Sequence, residues 1–186
     1  MKLKTQNSKL KTSLALIGFM CTGKTAVGIE LAAKLNKSFV DLDTMIEQKA
    51  GRPIPEIFKE QGEVAFREME IAAVKEIAVV SNHVIACGGG APLNWINIER
   101  LRKNSRIVLL TAPLRLIIWR AAGNNNRPLL NSPGESAQVS DLLKFRKPFY
   151  TRAADFTINT SGLTVNLVAA QIIERLRKDA GFHFEK

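Results

Sequence analysis

Residues 18–25 constrain the fold of this chain more than any other segment. Their sequence, GFMCTGKT, fits the pattern G-x-x-x-x-G-K-[ST]. An apolar run at residues 14–17 precedes the segment, and Val27, Leu31 and Leu35 follow it at helical spacing. A buried strand, a glycine-rich turn and a helix, in this order, are the structural context in which such a segment cradles phosphate.

The residue types in this loop predict a nucleoside triphosphate and Mg²⁺ as ligands. Glycines let the backbone curl so that successive N–H groups point at phosphate oxygens, and the helix start adds its positive dipole end. Lys24 is expected to reach the β- and γ-phosphates, and the Thr25 hydroxyl to bind Mg²⁺. The alternative is a plain glycine-rich turn with an exposed lysine. The predicted nucleotide-binding residues of the loop are Gly18, Cys21, Thr22, Gly23, Lys24, Thr25 and Ala26.

Short apolar runs between longer amphipathic stretches indicate an α/β fold with parallel strands and crossover helices. Strands are predicted at residues 14–17, 39–40, 84–86, 107–110 and 156–158. Helical patterns occupy residues 57–58, 64–80, 96–103, 114–122, 137–153 and 165–178. Thr44 and Glu47 have the spacing of a capping box that would start the helix after the second strand. The tail after Lys178 is predicted to fray.

Two aspartates, Asp41 and Asp43, end the second predicted strand. Alternation along a strand would place both carboxylates on one side, near the crevice where parallel sheets hold their ligands. One carboxylate is suited to organise Mg²⁺ through water while the other meets an acceptor hydroxyl. The alternative is that Asp43 only caps the following helix.

Glycines and arginines supply the other candidate site residues. Gly88, Gly89 and Gly90 follow the third predicted strand, which indicates either close approach of the backbone to a ligand or an ordinary loop. Residues 123–134 are rich in turn formers and are predicted to be a mobile flap. Four arginines would together clamp a carboxylate and cover a phosphoryl group, although each alone is typical of a solvated surface: Arg67, Arg120, Arg127 and Arg146.

The composition favours one domain with small anionic ligands. The chain has 186 residues, 46% of them apolar, which is enough for one sizeable core. Its net charge of +10 is concentrated near the ends, without a basic stripe interleaved with aromatics, so we expect no nucleic-acid partner. Two cysteines are too few for a disulfide framework, which favours a reducing cytoplasm. No apolar run reaches the ~18 residues that a membrane-spanning helix needs.

Several motifs in their order along the chain resemble those of the shikimate kinase family. The similarity covers about residues 14–177, and its later motifs are more specific than the phosphate loop. The residues that carry it are GFMCTGKT at 18–25, DLD at 41–43, GRPIPEIF at 51–58, GEVAFR at 62–67, GGGA at 88–91, RPLL at 127–130 and RKPFY at 146–150.

The resemblance implies transfer of the γ-phosphate of ATP to the 3-hydroxyl of shikimate, in the pathway to chorismate and aromatic amino acids. The alternatives are a P-loop kinase of another small hydroxy acid such as gluconate, and a non-catalytic relative that binds nucleotide. It also implies a three-layer αβα kinase fold like that of nucleoside monophosphate kinases, with a five-stranded parallel sheet. One domain would span residues 1–186, with a core at 14–178, a substrate-binding region at about 43–80 and a mobile lid at about 123–136. A monomer in the cytoplasm, with no membrane partner, is expected.

The resemblance also implies roles for single residues. Lys24, Asp43 and Arg127 would be catalytic, with Asp43 acting as the base or orienting it. Asp41 would hold Mg²⁺ through water, together with Thr25. Shikimate would contact Asp43, Arg67, Gly88, Gly89, Gly90 and Arg146, while Arg120 and Arg127 would contact the nucleotide.

Three segments depart from the pattern of that family. The phosphate loop has Met20, Cys21 and Thr22 where the family usually has small residues. The strand before the three glycines ends without an acid, so Asp41 must supply the usual metal-side carboxylate or none does. Residues 159–162, NTSG, do not match the loop that lies beside adenine in the family. Nucleotide selectivity is therefore less well defined by the sequence than phosphate binding.

Overall fold

A five-stranded parallel sheet forms the centre of the structure, a computed structural model that describes residues 10–122 and 135–184. Its strand order is β2-β3-β1-β4-β5, and each neighbouring pair is parallel. The predicted α/β architecture with a five-stranded parallel sheet is confirmed. The strands are β1 Ser13–Ile17, β2 Ser38–Asp41, β3 His83–Ala86, β4 Ser105–Thr111 and β5 Phe156–Asn159.

Helices cover both faces of this sheet and give it three layers. Helices α1 and α7 pack on one face, and α2 to α6 pack on the other. A short 3₁₀ turn, Ala91–Leu93, follows the three glycines. The helices are α1 Lys24–Leu35, α2 Leu42–Ala50, α3 Ile54–Ile77, α4 Trp95–Arg102, α5 Leu114–Ala122, α6 Glu135–Ala153 and α7 Val165–Arg177.

The central strand β1 shows why the strands were visible in the sequence. Ala15 and Ile17 belong to the core on one face of the sheet, while Leu14 and Leu16 belong to the core on the other. Because both faces are covered, the strand is apolar at successive positions instead of alternating with polar residues. Because β1 is the central strand, the loop at residues 18–25 lies in the middle of the row formed by the carboxyl ends of the strands.

The start of α2 corrects two expectations. The strand β2 ends at Asp41, whose side chain accepts a hydrogen bond of 3.0 Å from the Asp43 N–H and caps the helix. The predicted capping box is wrong, because Thr44 lies inside the first turn and Glu47 accepts instead from the Ile54 N–H at 2.9 Å. Alternation along a strand does not place Asp43, since Asp43 belongs to the helix.

Helix α3 joins two stretches that were predicted as separate helical patterns, residues 57–58 and the first part of 64–80. Gly62 interrupts it with φ 80° and ψ 176°. This conformation is open to glycine and costly for other residues, so the helix changes direction there. The second half of α3 carries Phe66, Glu70 and Val74 into the core.

The chain beyond α7 is ordered through Phe184, so the predicted fraying after Lys178 is wrong for the residues that the structure describes. Lys11 N–H donates to the Gly181 carbonyl at 3.0 Å, and His183 N–H donates to the Lys11 carbonyl at 2.9 Å. The Phe182 side chain is only 6% exposed and joins the core that contains Leu14. The tail thus packs at the amino end of β1.

The predicted lid at about 123–136 lies outside the described residues, apart from residues 135 and 136. Those two positions begin α6. Within residues 10–122 and 135–184, no helix has the length and apolar character needed to cross a membrane.

Candidate active site

The phosphate loop connects β1 to α1 and begins and ends in glycine conformations. Gly18 has φ 143° and Gly23 has φ 94°, both in the region that favours glycine, and Gly23 is the residue before α1. Lys24 folds back over the loop, where its Nζ donates to the carbonyls of Gly18 at 3.1 Å and Phe19 at 3.0 Å. A phosphate entering the loop would offer Lys24 charged acceptors in place of these carbonyls.

Thr22 stabilises the loop from inside. Its side chain is 1% exposed, and its hydroxyl donates to the Phe19 carbonyl at 2.8 Å. The contribution of Thr22 to a bound phosphate would therefore come from its backbone. Cys21 adopts a left-handed conformation, with φ 58°, and lines the adjacent cleft together with Ala26 in the first turn of α1.

Thr25 and Asp41 meet where a divalent cation would be expected. The Thr25 hydroxyl donates to Asp41 Oδ2 at 2.8 Å, across the gap between α1 and the end of β2. A hydroxyl and a carboxylate are the hard oxygen ligands that Mg²⁺ takes while keeping several waters and phosphate oxygens. Among the described residues, no group of three or more His, Cys, Asp or Glu is arranged so that it could hold a metal ion.

Asp43 lies beside this pair in the first turn of α2. Asp41, Asp43, Lys24 and Thr25 line one cleft with Arg120 and Cys87. The two aspartates therefore face the same cavity, as expected, although a helix start and not strand alternation brings them there. An acceptor hydroxyl at Asp43 would consequently lie close to the phosphate loop.

The three glycines after β3 run past the side chains that were predicted to bind the acceptor. A Cβ on Gly88 would lie 2.5 Å from Asp43 Oδ1, and a Cβ on Gly90 would overlap the Arg67 guanidinium. At Gly89 a Cβ would lie 3.5 Å from Arg146 Nη1 and within 4 Å of the phosphate-loop backbone. The absence of side chains thus lets the backbone pass close to three charged groups.

Arg67 is held on α3 by two carboxylates from its own helix. Its Nη2 donates to Glu63 Oε1 at 2.9 Å, and its Nη1 donates to Glu70 Oε2 at 3.2 Å. Arg67 is therefore fixed beside Gly90 and does not project as a freely solvated surface residue. Its half-buried guanidinium remains available at the rim of the site.

Glu70 is a site residue that the sequence analysis missed. Its side chain is 1% exposed, and a Cβ on Gly88 would lie 3.1 Å from its Oε1, so Glu70 lies beside Gly88 as Asp43 does. Burial raises the pKa of the Glu70 carboxyl from 4.5 to about 7, while the Arg67 guanidinium opposes that rise. The signal was its i+3 spacing from Arg67 on a helix, which favours a side-chain pair.

Arg146 reaches the pocket from α6. Its guanidinium carbon lies 6.0 Å from the ring centroid of Phe19 in the phosphate loop, close to Gly89. Its Nε is buried and has no hydrogen-bond acceptor within the described parts of the chain. A donor in this position suits an anionic group on a ligand.

Arg120 closes the opposite end of the cleft. Its Nη1 donates to the Cys21 carbonyl at 3.1 Å and to the Thr160 hydroxyl at 3.2 Å. The loop at residues 159–162, which does not match the family pattern, is therefore tied to the phosphate loop through Arg120. Arg127, the remaining predicted site residue, lies outside the described residues.

The fold and the loop define the class of this protein. A parallel sheet whose central strand leads through G-x-x-x-x-G-K-[ST] into a helix, with facing carboxylates and arginines, is a P-loop kinase fold. The sequence model of the family described as "Shikimate kinase" matches residues 20–177. The chain belongs to the shikimate kinase family.

Individual relatives agree along most of their length. The chain is 43% identical over 169 residues to a shikimate kinase of Caldanaerobacter subterraneus subsp. tengcongensis, covering 91% of this chain and 98% of that one. The structure of a shikimate kinase from Acinetobacter baumannii in complex with shikimate matches with a TM-score of 0.86 and 35% identity, over 92% of this chain and 96% of that one. The shikimate kinase of Bacteroides thetaiotaomicron matches with a TM-score of 0.81 and 32% identity, over 89% and 98%.

Proposed function

We propose that this chain transfers the γ-phosphate of ATP to the 3-hydroxyl of shikimate and forms shikimate 3-phosphate. Its membership of the shikimate kinase family supports this reaction, and so does the shikimate bound to the relative from Acinetobacter baumannii. One observation carries the proposal: Asp43, Arg67 and Arg146 meet around Gly88 to Gly90, directly beside the phosphate loop. A hydroxylated carboxylic acid offers the groups that these three side chains can bind.

The nucleotide would occupy the phosphate loop and the cleft next to it. Backbone N–H groups of residues 18–25 would bind the phosphates, and Lys24 would leave the Gly18 and Phe19 carbonyls for the β- and γ-phosphates. Arg120 would lie beside the adenine. Arg127 would reach the transferring phosphoryl group from a lid at about 123–136 and help to exclude water as an acceptor.

Thr25 and Asp41 would hold Mg²⁺, Thr25 directly and Asp41 through water, since they already share a hydrogen bond across the cleft. When bound, the cation would neutralise charge on the β- and γ-phosphate oxygens. Asp41 also caps α2, so its carboxylate is kept at a fixed position near Asp43.

The acceptor would lie between α3, α6 and the glycines. Arg67 and Arg146 would bind its carboxylate, while Asp43 would orient the 3-hydroxyl and accept its proton. Positioning and charge stabilisation supply most of the rate in phosphoryl transfer, so these groups need only be held in place. The Glu63 and Glu70 contacts of Arg67 provide such fixation.

We further propose that the enzyme acts as a cytoplasmic monomer in the pathway to chorismate and aromatic amino acids. Its partners would be the small molecules shikimate and ATP, without nucleic acid or membrane. Residues 43–80 would form the substrate-binding region of a single domain that spans residues 1–186.

The Asp43→Asn variant tests the reaction and the role of Asp43 together. Coupled ADP release with Mg-ATP should require shikimate, with neither gluconate nor buffer replacing it. In the variant kcat should fall at least ~10²-fold, because a general base is lost. The matched control is Asp141→Asn, a carboxylate on the exposed side of α6, which should keep the full rate. ADP release that is indifferent to shikimate would contradict the proposal.

A further inference from the structure

Tyr150 joins two elements of the predicted acceptor pocket through one hydroxyl group. It lies on α6 one turn after Arg146, and its side chain is 3% exposed. Its hydroxyl donates to the Gly89 carbonyl at 2.6 Å. The Arg146 guanidinium lies close to the same hydroxyl, and its positive charge acts to lower the pKa of that hydroxyl. Tyr150 therefore binds the middle glycine and lies beside the arginine that faces this glycine.

The middle glycine is the point at which the acceptor pocket meets the phosphate loop. A Cβ at Gly89 would lie 3.8 Å from the Gly18 carbonyl oxygen and 3.9 Å from the Met20 nitrogen, besides Arg146 at 3.5 Å. A displacement of Gly89 would consequently change the spacing between the acceptor and the phosphates. Tyr150 is thus the side chain that fixes this backbone from the α6 side.

A phenol suits this position between Gly89 and Arg146. It has one O–H to donate to the Gly89 carbonyl, and its oxygen lone pairs can face the nearby Arg146 guanidinium. Burial raises the pKa of the Tyr150 hydroxyl to about 12, and Arg146 opposes the rise. The hydroxyl therefore keeps the proton that it donates to Gly89 near neutral pH.

We propose that Tyr150 is a positioning residue that holds the Arg146 guanidinium against Gly89 and thereby sets the affinity for the carboxylate of the acceptor. This inference rests on the proposed function, because Arg146 is taken to bind that carboxylate. Tyr150 itself contacts no reacting atom. Its removal should weaken acceptor binding while the phosphoryl-transfer step proceeds at nearly the same rate.

The Tyr150→Phe variant removes the hydroxyl and keeps the ring. The KM for shikimate should rise about tenfold, the scale of one hydrogen bond, while kcat changes less than ~2-fold and the KM for ATP is unchanged. Thr151→Val is the matched control, since the Thr151 hydroxyl donates only within α6, to the Lys147 carbonyl at 3.0 Å. An unchanged KM for shikimate in Tyr150→Phe would overturn the inference.

A second acceptor separates this role from general support of the fold. The methyl ester of shikimate lacks the negative charge that Arg146 would bind, so Tyr150→Phe should change kcat/KM for the ester less than ~2-fold. A merely structural role would lower kcat/KM equally for the acid and the ester, and that result would overturn the inference.

Tyr150 is the single tyrosine of the chain, which allows a test without a variant. Uniform replacement with 3-fluorotyrosine gives one ¹⁹F resonance, and shikimate should shift it whereas the methyl ester should not. A resonance unmoved by saturating shikimate would overturn the inference even if Tyr150→Phe failed to fold.

The two proposals fail in different ways. A wild-type chain that does not phosphorylate shikimate would refute the proposed function and this inference with it. An active wild-type chain without the Tyr150→Phe effect would refute the inference alone.

Discussion

Glu70 is the residue whose surroundings differ most from what its sequence neighbours suggest. It occurs in the polar stretch Arg67-Glu68-Met69-Glu70, yet its side chain lies in the core beside Asp43, Gly88 and Arg67. The i+3 spacing from Arg67 is compatible with a side-chain pair, but spacing alone could not show which side of α3 faces the sheet. Only the packing of α3 under the glycines makes Glu70 part of the site.

The shifted pKa of Glu70 should make stability depend on pH. Below about pH 4.5 the carboxyl is protonated in both the folded and the unfolded chain. Between pH 4.5 and about 7 unfolding releases its proton, so the free energy of unfolding falls as the pH rises. The fall attributable to Glu70 is at most about 3 kcal/mol and is complete above pH 7. Glu70→Gln should remove it.

Urea unfolding at pH 5 and pH 8 measures this difference. From pH 5 to pH 8 the free energy of unfolding of the wild type should fall because of Glu70, and this fall should be missing in Glu70→Gln. The control is Glu63→Gln, because Glu63 also binds Arg67 but its side chain is 65% exposed. Parallel pH profiles for the wild type and Glu70→Gln would show that Glu70 does not titrate in this range.

At the scale of elements, the phosphate loop is the turn with the least room for substitution. In Gly18→Ala the added Cβ would overlap the Leu110 carbonyl oxygen on β4, and the φ of 143° is unfavourable for alanine. The Leu110 carbonyl belongs to the backbone of β4, and the Cβ would be attached directly to the backbone of the loop. Neither atom can therefore move aside without a shift of the main chain. We expect the free energy of unfolding to fall by about 3 kcal/mol, as measured by urea denaturation.

Gly51→Ala is the comparison for this loop substitution. Gly51 ends α2 with φ 68°, but nothing lies within 4 Å of an added Cβ. Its cost should be limited to the left-handed conformation, about 1 kcal/mol. Equal losses in the two variants would mean that conformation and not overlap limits Gly18.

The sequence predicted the position of each strand within a few residues. The inner strands β1 and β4 are buried on both faces and leave long apolar runs, whereas the outer strands β2 and β5 are partly exposed and leave only short ones. Helix boundaries were less accessible. Asp41 could cap α2 only because β2 stops there, a tertiary fact that made the nearby Thr44 and Glu47 spacing misleading. The P-loop kinase fold and the family were confirmed, whereas the roles of the site residues stay predictions.

At the scale of the whole molecule, the two ends of the strands have different roles. The carboxyl ends of the strands carry the phosphate loop, Asp41 and the glycines, while the tail covers the amino-terminal edge through Phe182. The sequence around Phe182 has no strong periodicity, so its burial could not be predicted locally. In the structure Phe182 pairs with Lys11, 171 positions away. The contacts of the tail are thus separated in space from the candidate site.

Phe182→Ala tests this separation. Loss of the buried ring should lower the free energy of unfolding by about 3 kcal/mol, with the KM values for ATP and shikimate unchanged. Phe184→Ala, which removes the neighbouring and less buried ring, should cost less. Thermal unfolding and steady-state kinetics on the same preparations measure both quantities. A raised KM for shikimate in Phe182→Ala would contradict the separation.

The break at Gly62 divides α3 into two parts that pack against different neighbours. The part after the break packs into the core through Phe66, Val74 and Ile77, and it bears Arg67 and Glu70. The part before it packs against α2. Ile57 in the earlier part is fully buried as well, so both parts contribute to the core. The break therefore lets one helix follow two packing directions, with Arg67 and Glu70 brought beside the glycines after β3 by the second direction alone.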